Sequence, residues 1–251
     1  MSVKNIIVSV IIPFYKEISL IGRAVESVCI QSVEEYDVDY EIVIGNDGDY
    51  STEEIFAAID EKFRCKVKVI KNMGPKGPGG ARNCALEAST GECVAFLDAD
   101  DYWLPEKIAA QLAQYSKGAK FIATAYRFEG GIVLYPPKIS SGKKLKVFKN
   151  LGLGTSTVMV ARSLIGNLRF RDIRFGQDID FWHRLSQIEG FQYISISDCY
   201  VVYSTSGSTK NKVQQAEYFW KVLSLNDLPF FYKVDAFFRY GVRGVWNHFI
   251  R

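Results

Sequence analysis

The chain has 251 residues, with 31 Lys and Arg against 28 Asp and Glu, a net charge of +3 and a pI near 8.5. That leaves room for one large α/β domain or two small ones, and the charge is too mild to point to nucleic acid. Five scattered cysteines (Cys29, Cys65, Cys84, Cys93, Cys199), with no CxxC pair and two histidines, argue against a disulfide framework or structural zinc and fit a reducing cytoplasm.

Met1 to Asn5 lead straight into a short apolar run, without an h-region of signal length, and no apolar stretch reaches the ~20 residues that span a bilayer. Ile6 to Pro13 is a β-branched run that reads as a buried strand stopped by proline. Leu20 to Gln31 has the apolar spacing of a helix. Glu41 to Ile44 is the next strand, ending in Gly45-Asn46-Asp47-Gly48. Ser51 or Thr52 caps a helix running to Lys62, with Glu53 and Glu54 in its first turn. Val67 to Ile70 is a third strand, and the loop Gly74 to Gly80 opens into a helix over Ala81–Ser89. A strand at Cys93–Leu97 and a helix from Pro105 to Tyr115 follow. This alternation predicts a parallel sheet with right-handed crossovers.

After Phe121 the pattern changes. Phe121–Phe128 and Ile132–Tyr135 flank Gly130-Gly131 as a hairpin. Lys138 to Lys149 is basic and reads as mobile and solvated. Thr155 to Ala161 and Tyr200 to Tyr203 read as strands. Gln177 to Ile188 reads as a helix that turns Ile179, Trp182 and Leu185 inward. The tail, Val213 to Arg251, reads as two helices broken near Asp227-Leu228-Pro229.

The chemistry concentrates in Phe96-Leu97-Asp98-Ala99-Asp100-Asp101. Three carboxylates at the end of an apolar strand are costly to bury unpaired, so they belong at the strand's carboxyl end, where open α/β sheets bind ligands. A hard divalent cation, Mn²⁺ or Mg²⁺, relieves their repulsion and takes phosphate oxygens as well. The plainer reading is a strand-to-helix turn with Asp101 as a cap. Tyr15, Glu17, Asp47 and Arg82 fall at the same edge by the same logic, and together they describe a site for a nucleoside diphosphate. The loop Gly74 to Gly80 lacks the Gly-Lys-[Ser/Thr] ending of a P-loop, and Lys76 reads as a solvated charge.

With these residues in view the chain resembles inverting glycosyltransferases of family 2, which have the GT-A fold, from about Val8 to Thr209. The resemblance rests on five segments in order: Val8 to Tyr15, Asn46-Asp47-Gly48, Ala81-Arg82-Asn83, Phe96 to Asp101 and Gln177 to Leu185. It implies an α/β, GT-A architecture: a Rossmann-like, mostly parallel sheet flanked by helices, with a C-terminal helical tail. It implies a GT-A domain over residues 1–212, its nucleotide half at about 1–120 and its acceptor half at about 121–212, and an amphipathic tail over 213–251. A UDP-sugar donor would be held by Pro13, Tyr15, Glu17, Asp47, Arg82, Asp98 and Asp100. Tyr15 and Asp47 would meet the nucleoside, Arg82 the base and Asp98 the ribose. Asp100, with Asp98, would hold the Mn²⁺ or Mg²⁺. Asp178 would be the catalytic base.

The acceptor implied is a glycan, polyprenyl-diphosphate-linked, at the inner leaflet of a bacterial membrane, in O-antigen or capsule assembly. The chain departs from the family in four places. Lys16 stands where Asn is frequent, Asn46 where Asp is frequent, and Gln177 replaces Glu beside the base. The histidine sometimes found before Gly-Ser near the domain's end is absent from Tyr203 to Ser208. Asp180 and Arg184, four apart, read as an intrahelical ion pair, Trp182 as core, and His183 and His248 as non-ligands. Two rival functions remain open: a sugar nucleotidyltransferase, and a catalytically silent binding module. In the tail Phe230, Val234, Phe237, Phe238, Gly241, Val242, Val245 and Phe249 form a wide apolar stripe with Lys233, Arg239, Arg243 and Arg251. That stripe fits either a helix docked on its own domain or one lying on anionic lipid.

Overall fold

In this computed structural model residues 6–33, 36–138, 145–149, 152–204 and 212–249 are described, residues 212 and 243–249 by their backbone alone. The first half alternates as the sequence predicts: β1 (Ile6–Phe14), α1 (Ile21–Cys29), β2 (Val38–Asn46), α2 (Thr52–Ala57), β3 (Val67–Lys71), α3 (Pro78–Glu87), β4 (Cys93–Phe96), β5 (Tyr102–Trp103) and α4 (Lys107–Tyr115). The second half follows with β6 (Phe121–Phe128), β7 (Val133–Leu134), β8 (Val158–Ala161), α5 (Arg162–Ile165), α6 (Gln177–Ser186), β9 (Tyr193–Tyr203), α7 (Lys212–Ser224) and α8 (Phe230–Phe249). All nine described strands join one sheet in the order β3-β2-β1-β4-β8-β6-β9-β5, with β7 on β6.

The sheet is parallel from β3 through β4, but β8 runs antiparallel to both β4 and β6, and β9 is parallel to β6. β1 therefore has β2 on one side and β4 on the other. That is the reversal of strand order where α/β sheets open a crevice. Both faces of the parallel part are covered. Val8, Val10, Ile12 and Phe14 point into one cluster with α1 and α4, while Ile11, Val43, Val94 and Phe96 point into another with α3 and α6. This period of two under helices on either side explains the near-continuous apolar strands. Each such side chain removed from water is worth about 1.5–3 kcal/mol.

The second cluster is rich in rings. Phe170 stacks on Phe181 at 4.1 Å, and Phe96 and Phe121 each meet Trp182 edge-on at 5.3 Å. Trp182 and Leu185 are fully buried, as their spacing predicted, with Ile179 partly buried beside them. One buried cation has no acid. Lys107 donates to Gln111 Oε1 at 2.8 Å and stands 3.7 Å over the Trp103 ring, and burial holds its ammonium well below the ordinary lysine range.

Five elements differ from the sequence reading. The helix begun at Ser51, which forms a full capping box with Glu54, stops at Ala57; Asp60 accepts the Lys62 N–H and starts a separate 3-10 turn, Glu61–Lys66. Thr155–Thr157 is a 3-10 turn ahead of β8 rather than part of the strand. Asp101 caps no helix: α4 begins after Glu106, and Tyr102–Trp103 pairs with β9 instead. β9 starts at Tyr193, seven residues before the predicted Tyr200, because polar Ser195 and Asp198 hide a strand whose register on β6 shifts around Ala125. The basic stretch is not wholly solvated: Leu145, Val147 and Phe148 are buried, Phe148 against His183 and Phe219, while residues 139–144 lie outside those described. The break at Asp227–Pro229 and the Gly130-Gly131 hairpin are where the sequence put them.

Candidate active site

Register alone brings the first group together. Phe14 pairs with Asn46, and beyond the ladder the Asp47 N–H donates to Phe14 O at 2.8 Å and the Asn72 N–H to Asn46 O at 2.8 Å. Tyr15, Asp47 and Asp98 thus leave the sheet at one edge, on either side of the reversal. Pro13 lies inside β1 opposite Gly45, one residue before that edge. A Cβ on Gly48 would stand 1.8 Å from Tyr15 O, so only glycine lets the two loops cross there. Asn46 suits this turn better than an aspartate would. Its Nδ2 donates to Tyr50 O at 2.7 Å while its Oδ1 accepts the Gly48 N–H at 3.0 Å, and a carboxylate could not donate.

Asp47 is nearly buried and fully engaged. Its two oxygens accept Asn72 Nδ2 and the Gly77 N–H, each at 2.7 Å, and Lys76 approaches to 3.7 Å. Asn72 also donates to Pro75 O at 2.8 Å. The Gly-Pro loop is therefore stapled to the strand ends, while Lys76 stays 68% exposed, as the sequence reading has it, with its ammonium 3.3 Å from Asp47 O. Tyr15 is 56% exposed, open to a stacking partner. Glu17 lies below it with Oε2 accepting the N–H groups of Tyr15 and Lys16 at 3.0 and 2.9 Å.

Arg82 sits in α3, 4% exposed, with Nη2 2.5 Å from Asp98 Oδ1. Its Nε and Nη1 are buried without a partner, and its guanidinium lies 5.6 Å over Phe170. Buried donors left in this state are expensive, and a ligand oxygen would satisfy them. Asp100 is held by its backbone, whose carbonyl accepts Arg23 Nη2 at 2.9 Å. Burial first, then the neighbouring Asp98, pushes its carboxyl up from the ordinary range. Asp101 is 2% exposed and raised further, by burial, Asp98 and Asp100.

Among the described residues no three His, Cys, Asp or Glu form a metal cage. A cation whose shell is completed by diphosphate and water needs only one or two carboxylates. Asp98 and Asp100 offer hard oxygens, and their mutual repulsion is what such an ion would relieve. The donor set fits Mn²⁺ or Mg²⁺ on those terms.

The second group is brought in by the turn Thr155–Thr157. Ser156 Oγ accepts the Asp98 N–H at 3.1 Å and donates to Asp101 Oδ2 at 2.6 Å. Its N–H donates to Tyr203 Oη at 3.0 Å, and its carbonyl accepts Trp103 Nε1 at 2.9 Å. The adjacent Thr155 Oγ1 donates to Asp178 Oδ2 at 3.1 Å. Asp178 occupies the first turn of α6, whose entry uses Gly176 in the left-handed region (φ 73°). One three-residue turn therefore links the carboxylate loop after β4 to the aspartate of α6. Gln177, beside it, is 7% exposed and its Oε1 has no partner.

Asp180 is not part of this opening. It is fully buried and bonded to Arg184 and Arg171 at 2.9 Å each and to Asn226 Nδ2 at 2.9 Å. The i,i+4 pair is structural, as its spacing indicated, and it also fastens α6 to the tail. Residues 205–208, where the family's histidine was sought, lie outside those described. Sequence reasoning missed Thr155, Ser156, Arg23 and Asn72. The hydroxyl run Thr155-Ser156-Thr157 before an apolar strand was a signal for a polar turn; nothing local marks the other two. A surface depression lined by Glu53, Phe56, Ala57, Arg64 and Cys65 shares no residue with this site.

Residues 9–174 match the family described as Glycosyl transferase family 2. The chain is similar to the Escherichia coli UDP-Glc:alpha-D-GlcNAc-diphosphoundecaprenol beta-1,3-glucosyltransferase WfaP, 29% identical over 249 residues, which is 96% of this chain and 95% of that protein. A second E. coli enzyme with the same description, WfgD, is 28% identical over 225 residues, 86% of this chain and 85% of that one. Among solved structures, S. aureus TarS 1-349 superposes with a TM-score of 0.67 at 21% identity, covering 92% of this chain and 69% of that one; the chain spans 41% of the longer TarS chain. The Pyrobaculum calidifontis mannosyltransferase PcManGT, solved with GDP-Man and Mn²⁺, superposes with a TM-score of 0.61 at 15% identity, covering 91% and 67%. The shared architecture is GT-A.

Proposed function

The chain belongs to glycosyl transferase family 2, and on that premise we propose that it moves a sugar from a UDP-sugar to an acceptor hydroxyl, inverting the anomeric carbon. The acceptor is a polyprenyl-diphosphate-linked glycan of bacterial surface polysaccharide, met at the cytoplasmic face of the membrane. Near full-length similarity to two enzymes described as acting on a diphosphoundecaprenol acceptor supports that choice and makes UDP-glucose the first donor to try. The single observation that carries the reading is the Thr155–Ser156 turn, which couples the Asp98–Asp101 loop on one side to Asp178 on the other.

In this reading residues 1–120 hold the nucleotide, 121–212 the acceptor, and 213–251 form an appended helical tail. Tyr15 stacks on the nucleoside, Asp47 reads it from a fixed position, and the free N–H groups of Arg82 take donor oxygens. Asp98, already paired with Arg82, orients the ribose. Asp100 and Asp98 would hold a divalent ion, whose charge would stabilise the departing diphosphate. Asp178 takes the acceptor proton. The Thr155 hydroxyl donates to its Oδ2, which leaves Oδ1 for the incoming hydroxyl. One base and no assigned carboxylate nucleophile suit a single displacement, so an α-linked donor yields a β-glycoside.

The test is UDP release with UDP-glucose and a GlcNAc-diphosphate-lipid acceptor, followed by the anomeric coupling of the product. Acceptor-dependent release and a β linkage are expected. UDP binding with no release from any UDP-sugar would assign a silent binding module instead, and an α product would remove Asp178 as base.

A further inference from the structure

The two tail helices solve one packing problem and leave another. α8 turns Tyr232, Ala236, Phe237 and Tyr240 toward α7, where Phe219, Val222 and Leu223 receive them; the Phe219 and Tyr240 rings stack at 4.3 Å. The opposite side of α8 is apolar as well. Phe230, Phe231, Val234, Phe238 and Val242 are 65%, 85%, 43%, 69% and 52% exposed. They recur every three to four residues and so form one stripe, about 18 Å long at 1.5 Å per residue. Scattered exposed apolar residues are ordinary, but a contiguous stripe with three phenylalanines marks an interaction surface.

The charges select the occupant. Residues 229–251 carry Lys233, Arg239, Arg243 and Arg251 against one acid, Asp235. That acid is already neutralised by Lys149 and by Arg239 at 3.0 Å. Arg239, 57% exposed, stands at a border of the stripe, and the same helix also carries Lys233 and Arg243. A second copy docking through this face would bring the same cations against each other. An anionic bilayer surface attracts them and accepts the rings at headgroup depth. No helix among the described residues is long and apolar enough to cross a membrane, so the contact lies along the surface.

We propose that the outer face of α8 is a docking surface for an anionic lipid bilayer. The hairpin is fastened to the helix that begins with the proposed base. Asn226 binds Asp180, Tyr218 meets Phe175 at 4.8 Å, and Val222 abuts Gly176, two residues before Asp178. Docking there holds α6 at the lipid surface that carries the acceptor. The inference deepens the reading of a membrane-linked acceptor and rests on it for its purpose, while its test needs no substrate.

The full chain is sedimented with vesicles of phosphatidylcholine alone or mixed with phosphatidylglycerol. Binding to the mixed vesicles that weakens as salt rises is expected, and Phe231→Glu with Phe238→Glu should reduce the partition more than about tenfold. Both side chains are exposed, so the melting temperature and UDP release with a short-chain soluble acceptor should not change. Failure of the wild-type chain to sediment, or equal sedimentation of the double variant, would overturn the proposal. A dimer seen by light scattering and dissolved by the same substitutions would overturn it in favour of a second copy. Failure of UDP release alone would strike the catalytic reading and leave this one standing.

Discussion

The parallel part of the sheet, β1 to β4, and the part built from β6, β8, β9 and α6 hold their polar side chains in opposite ways. In the first, Tyr15, Asp47, Asp98 and Asp100 sit where strands run out, so ladder register brings them to one edge, and bonds such as Asn72 to Asp47 and Arg82 to Asp98 are added there. In the second, Asp178 is placed by hydrogen bonds between residues far apart in sequence: Thr155 to Asp178, Ser156 to Asp101, and Asp180 to Asn226. Strand ends make a site that tolerates change in side chains. Long-range polar bonds make one that depends on each partner, because a buried group that loses its partner costs more than the bond contributed.

The sharpest way to test this contrast is at the two ends of the proposed reaction. Asp178→Asn should lower turnover by a factor of about 10² to 10⁴. UDP-sugar affinity and melting temperature should stay unchanged. Asp100→Ala should instead abolish activity that Mn²⁺ supports in the wild-type chain, and weaken UDP-sugar binding as well. Steady-state kinetics with calorimetric binding distinguish the two patterns.

Asp180→Ala should damage the fold rather than the chemistry. It leaves Arg184, 16% exposed, without its carboxylate and removes the Asn226 bond that ties α6 to the tail. A loss of about 2–4 kcal/mol is expected, below the full value for a buried pair because Arg171 is partly exposed. Urea unfolding measures it. An equal loss of activity with no loss of stability would move Asp180 into the site.

Ser156→Ala should fall between these two. Asp101 keeps the Ser204 N–H but loses its hydroxyl donor, and the Asp98 loop loses its tie to β8. About 1–3 kcal/mol of stability should go, with a fall in turnover that Ser156→Thr partly restores. If activity survives intact, the turn does not couple the two halves.

The smallest effect is expected at Lys107, a buried cation whose partners are Gln111 and the Trp103 ring. Its folded pKa is lowered, so between that value and the ordinary ~10.4 the unfolded chain binds the extra proton. Unfolding free energy should therefore rise as pH climbs toward the ordinary lysine range. Lys107→Met should flatten that slope and change stability at pH 7 by no more than about 1 kcal/mol, since relief of desolvation offsets the lost bond to Gln111. Chemical denaturation across pH 7 to 10 checks both.

The sequence by itself determined the parallel half and its edge. Apolar runs such as Ile6–Pro13 and Cys93–Leu97 are long enough to be buried on both faces. The residues that follow them must then emerge together, because strand direction is shared and charge is excluded from the core. It also showed the helical stripe of Gln177–Ile188, the break at Pro229 and the wide apolar stripe of α8. Only the tertiary structure decided that Thr155–Thr157 is a turn and that Ser156 ties Asp98 to Asp101. It alone decided that β9 begins among serines and an aspartate, and that one helix stops at Ala57 and Asp60 starts a new turn. Those outcomes rest on contacts between residues tens of positions apart, and on local side-chain bonds that compete with helix. Neither leaves a periodic trace in the chain. The same holds for the tail. Its sequence shows an apolar helix, while the packing of Ala236 and Tyr240 on α7 settles which face is spent on the protein and which remains for a partner.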